Sequence, residues 1–365
     1  MSISRPHTFA IAATIAVLQP LPGQAQSRVE IYGVLDVGLH TGVSDGVRST
    51  RLDSSPVAPS RFGFQSMEDL GGGLKALVRI EGGINADTGA STAGTLFGRE
   101  AYVGLQGGAG TVQLGLNYTP MFFAYVSYAQ GDLNTFSWGN ATNNFVFLPT
   151  IKQGNSLRYT SPALANFTLR AIHALGNEGA AGQPANLGKT SGVGLQYRAG
   201  PLAADLDYLR QNYAASATLT PTTAVGTGNY ALFGMSYDFG ILKPALLYQR
   251  HRGSADVLTA IGASFANPDN DYYELNTLIR SSPLGTILLS FGQYRKQADS
   301  SGNARSYAAR YDYRLSKRTG LYVGAGHIQN NSNASFTMSN GAGPGIVTAT
   351  GKNLNSMVMG LVTRF

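Results

Sequence analysis

The sequence predicts an all-β chain: a sixteen-stranded antiparallel β-barrel that crosses a membrane on strands, with short turns at one end and long loops at the other. Side-chain parity is the first observation. In the last segment, Asn353–Phe365, residues Phe365, Thr363, Leu361, Met359 and Met357 fall on one face, and Arg364, Val362, Gly360, Val358 and Ser356 on the other, because successive strand side chains point to opposite sides. The same split recurs early, where Val29, Ile31, Leu35, Val37 and Leu39 oppose Glu30, Tyr32, Asp36 and His40. Leu74, Ala76, Val78 and Ile80 oppose Lys75, Arg79 and Glu81, and Tyr307, Ala309, Tyr311, Tyr313 and Leu315 oppose Ser306, Ala308, Arg310, Asp312 and Arg314. Charges confined to one parity mark strands that are wet on one side and apolar on the other.

The connectors are the second observation. Short ones fall at 69–73, 107–110, 161–165, 200–201, 240, 282–285 and 316–319. Long ones, rich in Ala, Ser, Thr, Asn and Gly, fall at about 42–60, 84–96, 118–154, 176–190, 213–228, 254–270, 298–304 and 330–351. Seven short and eight long connectors alternate, which is how outer-membrane barrels are strung with periplasmic turns and extracellular loops. Fifteen connectors join sixteen strands, with fourteen and eighteen as the neighbouring counts.

Composition agrees. Mean hydropathy is −0.06, too low for a helical membrane protein and suited to a barrel whose apolar outside is offset by a polar lumen. The first residues read as a secretory signal: Arg5, an apolar run from Phe9 to Leu18, then Pro20-Leu-Pro-Gly-Gln-Ala25. The run is about half the length needed to span a bilayer. Residues 1–25 are therefore expected to be a signal peptide and 26–365 a single barrel domain, with no plug before the first strand. A secreted β-sandwich is the soluble alternative. It would bury Phe, Leu and Trp on one strand face, whereas here the apolar positions are often Tyr, Ala and Val and the opposite face is charged.

Chemistry narrows the function. There is no cysteine, which removes disulfides and thiolate metal sites. The net charge of +7 is spread singly along the chain, without a basic block or nucleic-acid motif. Of the mature histidines His40, His173, His251 and His327, none sits in a motif with a serine nucleophile, and Asp205-x-Asp207 lacks the glycine and glutamate spacing of a calcium loop. No catalytic residue, cofactor or metal is expected; a barrel lipase or protease and a surface adhesin are the other functional classes considered.

The residues resemble those of the trimeric general porins of Gram-negative bacteria, of the beta-proteobacterial type. The resemblance is densest over 28–120: Ile31-Tyr-Gly-Val-Leu-Asp36, Ser60-Arg-Phe-Gly63, Glu68-Asp-Leu-Gly-Gly-Gly-Leu-Lys-Ala76, Phe97-Gly-Arg-Glu-Ala-Tyr-Val-Gly-Leu105 and Tyr118-Thr-Pro120. It returns at Ser156-Leu-Arg-Tyr-Thr-Ser-Pro162, at Tyr311-Asp-Tyr-Arg-Leu-Ser-Lys-Arg-Thr-Gly-Leu-Tyr322 and at Phe365, while about 165–300 matches in pattern alone. It implies a sixteen-stranded homotrimer in the outer membrane, among bilayer lipid and lipopolysaccharide, passing small hydrophilic solutes and ions. It also implies that the third long loop folds into the lumen against a basic wall to which Arg61 and Arg99 belong, and that Phe365 is an aromatic end read by the outer-membrane assembly machinery.

Two departures stand out. Gly115-Leu116 replaces a glycine–arginine pair common in the family, and the third loop carries one acid, Asp132, and one base, Lys152, among many aromatics: Phe122, Phe123, Tyr125, Tyr128, Phe136, Trp138, Phe145 and Phe147. By parity eleven bases point inward (Arg61, Lys75, Arg79, Arg158, Arg170, Arg198, Lys243, Arg280, Lys296, Arg310 and Arg314). They outnumber seven acids (Glu30, Asp36, Glu81, Asp205, Asp207, Glu274 and Asp312). That excess predicts weak anion preference. The constriction candidates are Arg61, Lys75, Arg79, Arg99, Asp132, Arg158 and Arg170. Parity alone turns Arg99 to lipid, so a bulge near Gly98 is needed to bring it inside.

Overall fold

Alternating residues become alternating faces in the computed structural model. It describes residues 28–131, 133, 138–145, 151–176, 184–214, 225–253, 257–258, 264–265, 269–338, 346 and 348–365. The expected signal peptide and Asp132, Phe136 and Phe147 lie outside the described residues, as does the side chain of Phe145. In chain order the strands are β1 (Arg28–Ser44), β2 (Val47–Ser54), β3 (Arg61–Gly71), β4 (Leu74–Gly83), β5 (Glu100–Gly107), β6 (Gly110–Tyr118) and β7 (Lys152–Thr160). Next come β8 (Phe167–Ala174), β9 (Thr190–Ala199), β10 (Leu202–Ala214), β11 (Val225–Tyr237), β12 (Leu242–Gly253), β13 (Val257–Leu258) and β14 (Ser264–Phe265). The last five are β15 (Asn270–Arg280), β16 (Gly285–Lys296), β17 (Ala304–Arg314), β18 (Thr319–Asn330) and β19 (Leu354–Arg364), and two helices, α1 (Pro120–Tyr128) and α2 (Ala141–Phe145), lie between β6 and β7.

Each large strand pairs antiparallel with its chain neighbour, and β19 returns to β1, from Val34↔Arg364 to Ser44↔Leu354, so the sheet closes. Seventeen strands form this sheet, while β13 and β14 pair separately. β2 pairs with the upper part of β1 (Val37–Ser44) and β3 with the lower part (Arg28–Val34), so these two are one stave interrupted at residues 55–60. The barrel therefore has sixteen staves, as the connectors predict. Closure removes the open strand edges that would otherwise template aggregation. No helix among the described residues is long and apolar enough to cross a membrane.

Burial follows the predicted parity. On β19 Met357, Met359 and Leu361 are exposed while Ser356, Val358 and Val362 are buried. On β1 Val29, Ile31, Leu35 and Leu39 are exposed while Asp36 and His40 are fully enclosed. An outward belt of Val, Leu, Met, Phe and Tyr this continuous would be unstable in water and requires hydrocarbon around it. The triglycine turn has its reason in the backbone: Gly71, Gly72 and Gly73 have φ of +84°, +61° and +80°, a succession that side-chain-bearing residues resist.

The first long connector departs from expectation. Much of 42–60 is strand, because β1 runs to Ser44 and turns back through Asp45-Gly46, both with positive φ as a type I′ hairpin requires. Only residues 55–60 leave the ladder. They fold inward, burying Val57 and Ala58, whose N–H groups donate to Asp36 Oδ2 at 2.7 Å each. Tyr322 donates to the other oxygen of Asp36 at 2.7 Å. Asp36 is thus a buried anchor for this segment rather than a free lumen charge.

Candidate functional site: a constriction in the lumen

The connector between β6 and β7, loop 3, crosses the interior. Pro120 opens α1 in the first turn, where its missing N–H costs nothing. Met121, Ala124, Tyr125 and Tyr128 then share one helix face and are buried, while Phe122, Phe123, Val126 and Ser127 are half-exposed on the other. The buried face seats on the wall of β9–β12: Tyr125 donates to Gln249, Tyr128 to Asp205, and Asn276 Nδ2 to the Tyr128 carbonyl at 2.6 Å. Gly234 makes the seat possible, since a Cβ there would lie 2.2 Å from the Tyr128 ring.

The second half of loop 3 seats on β15–β19 and β1. Thr142 N–H donates to Glu274 at 2.8 Å, Asn144 Nδ2 to Ser306 Oγ at 2.8 Å, and Arg310 to the Trp138 carbonyl. Arg310 also pairs with Asp312 at 2.7 Å, and both are about 1% exposed. Arg364 donates to the Leu133 carbonyl, and Asp312 accepts from Leu133 N–H at 3.3 Å. Trp138 packs over Gly324, where a Cβ would sit 2.4 Å from the indole, and its N–H donates to Pro56 O at 2.7 Å. Its Nε1–H donates to His40 Nε2 at 3.3 Å, and Ser356 Oγ lies 2.7 Å from the same nitrogen. His40 Nδ1 lies 2.9 Å from Asp53, which fits the tautomer that donates from Nδ1 and accepts at Nε2.

The wall from β3 to β8 stays open to the lumen, and bases gather there. Glu81 accepts from Arg99 Nε at 2.6 Å and from the Tyr32 hydroxyl at 2.9 Å, and lies 3.5 Å from Arg61 Nε. Glu100 accepts from Arg79 at 2.9 Å and lies 3.8 Å from Arg158. Arg158 donates to Gln113 at 2.7 Å, and Arg170 to Gln196 at 3.0 Å while lying 3.5 Å from Asp205. Lys152 donates to the Gly98 carbonyl. Six bases (Arg61, Arg79, Arg99, Lys152, Arg158, Arg170) thus stand with three acids (Glu81, Glu100, Asp205), an excess of three positive charges. Facing them from α1 is Phe123, whose ring centroid lies 5.1 Å from the Arg158 guanidinium carbon and 4.8 Å from that of Arg170.

Five of the seven sequence candidates therefore meet on one wall. Arg99 reaches it although parity turns it to lipid, because the ladder begins only at Glu100 and Arg99 belongs to the preceding loop, its N–H donating to the Glu81 carbonyl at 3.1 Å. Lys75 stands apart. It is the second residue of β4, beside the triglycine turn, about 13 Å along the strand from Arg79. Arg310 of the lumen count is sealed beneath loop 3, and Arg280 pairs at the rim with Asp238 at 2.8 Å. Sequence reasoning left Glu100 and Lys152 out of the inward set. Parity with Tyr102 would have placed Glu100, which pairs with Glu81 across β4 and β5. No group of three or more His, Cys, Asp or Glu that could hold a metal occurs among the described residues.

A closed barrel with an apolar outer belt, a polar interior and a loop folded into it has the architecture of a transmembrane channel. Residues 10–333 match the family described as Gram-negative porin. The chain belongs to that family, and it is an outer-membrane protein. It is 28% identical over 318 residues to outer membrane porin protein 32 of Delftia acidovorans, covering 84% of this chain and 85% of that one. It is 27% identical over 369 residues to an outer membrane porin of Bordetella pertussis, covering 88% and 94%. Among solved structures it resembles the anion-selective porin from Comamonas acidovorans, with a TM-score of 0.78 and 25% identity over 93% of this chain and all of that one.

Proposed function

We propose that this channel passes small hydrophilic solutes by passive diffusion with a weak preference for anions, set where loop 3 faces the arginine wall, and that it carries out no catalysis. The observation that carries the reading is the excess of three positive charges on the open wall, opposite a stretch of loop 3 whose described residues contain no acid. A narrow gap with low-dielectric walls focuses the field of those few charges on a passing ion. The likeness to a porin named anion-selective supports the sign. In a planar bilayer under a KCl gradient, the reversal potential should have the sign of chloride preference; the sign of potassium preference would refute the reading.

The working unit in this proposal is a homotrimer among lipid and lipopolysaccharide, delivered by a cleaved signal peptide and inserted by the assembly machinery. Phe365 is the residue assigned to the last step, and it also closes on β1. Its backbone N–H and carbonyl both pair with Gly33 at 3.1 Å, and its exposed ring lies where a Gly33 Cβ would be. Deleting Phe365 should lower the yield of inserted trimer, measured by gel mobility before and after heating, while channels that do form keep their conductance. Full yield from the shortened chain would remove the role.

A further inference from the structure

The open wall offers rings as well as charges, and the two alternate. Tyr102 lies 6.0 Å from the Arg158 guanidinium, and Phe123 lies 5.1 Å from Arg158 and 4.8 Å from Arg170. Beside them Phe122 stacks on Tyr118 with centroids 3.8 Å apart and planes at 10°, so its ring is held flat on the lumen face of α1. On the same wall Arg79 lies over Tyr32 at 5.5 Å. Arg158 donates through Nε to Gln113 and through Nη1 to the Tyr118 carbonyl at 3.4 Å, and no described residue accepts from its Nη2. A guanidinium can stack through its face and bind a carboxylate through its edge at the same time.

We propose, resting on the anion-channel reading above, that the constriction is a subsite for planar aromatic carboxylates. The carboxylate of such a solute meets the Nη2 edge of Arg158, and its ring lies against Phe123 and Phe122. A chloride ion can use only the charge. A saturated ring of the same charge and similar size can use the charge and the apolar surface, but it lacks the flat π-face that stacks on Phe and on guanidinium. The two half-exposed rings of α1, Phe122 and Phe123, have this as their consequence: the gap sorts anions by shape after the arginines have sorted them by sign.

The test is the bi-ionic reversal potential between sodium benzoate and sodium cyclohexanecarboxylate across a bilayer holding the full-length channel. One aromatic contact predicts a permeability ratio favouring benzoate by roughly three- to tenfold. Phe123→Leu, which keeps an apolar side chain of similar bulk, should bring the ratio close to unity, and Phe122→Leu should lower it part of the way. Conductance in KCl shows that each variant forms a channel. A wild-type ratio near unity, or a ratio that both variants retain, overturns the proposal. Because the KCl reversal potential is read on the same channels, a failure of shape selection with anion preference intact is distinguishable from a channel that prefers cations.

Discussion

The two halves of the barrel wall use the same alternating strands for opposite ends. From β9 round to β1 loop 3 and residues 55–60 cover much of the inward face, and several of its charges are held in packing: Arg310 on Asp312, Asp36 on Val57 and Ala58, Glu274 on Thr142. From β3 to β8 several inward bases keep contact with the lumen, with the Arg61, Arg79 and Arg99 side chains between 19% and 32% exposed. A charge does not become functional by pointing inward. It becomes functional by pointing inward where the loop is not seated, and the seat is decided by polar anchors and by glycines that leave room for rings.

The most disruptive way to break this contrast is to unseat loop 3. Gly234→Val places a branched side chain where the Tyr128 ring lies. The helix should lift from β9–β12 and widen the gap, raising single-channel conductance about twofold. Unchanged conductance would mean that α1 tolerates the intrusion and is held elsewhere.

A smaller effect should follow from reversing one charge on the open wall. Arg61→Glu should move the KCl reversal potential toward cation preference, and more at physiological salt, where screening reaches about 8 Å, than at 1 M, where it reaches about 3 Å. An unmoved potential would show that Arg61 does not contribute to the selective field.

The smallest effect sharpens the comparison by removing one carboxyl group from each half. Glu100→Gln, on the open wall, should strengthen anion preference. Asp207→Asn should leave the reversal potential where it was, since Asp207 is only 2% exposed beneath α1. Its carboxyl oxygens accept no hydrogen bond from the described residues, so removing a buried unpartnered carboxyl should not lower the thermal midpoint. Equal shifts in selectivity from the two variants would dissolve the distinction between the halves.

Much of the barrel was legible in the sequence because the bilayer imposes a period of two wherever a strand crosses it. Met357, Met359 and Leu361 announce their face without help from any other strand. β2 was not legible for the same reason: Val47–Ser54 extends beyond the apolar belt, mostly exposed, so no greasy parity marks it. Arg99 was placed by resemblance and misdirected by parity, because parity holds only inside the ladder and Arg99 precedes it. Counting inward charges overstated the lumen, since Arg310 and Asp36 look the same in sequence as Arg79 and Glu81. The signal that separates them is indirect. Glycines at inward positions, such as Gly234 and Gly324, mark strands against which something packs, and they lie in the half that loop 3 covers.

Trp138 is the only tryptophan in the chain, it is fully buried, and it sits on the element whose position sets the bore. The channel therefore carries its own optical gauge. Emission from that indole reports whether loop 3 is docked on Gly324 and His40 or released into water, with no second tryptophan to obscure the reading. Bore width and fluorescence can then be followed together in one unlabelled molecule.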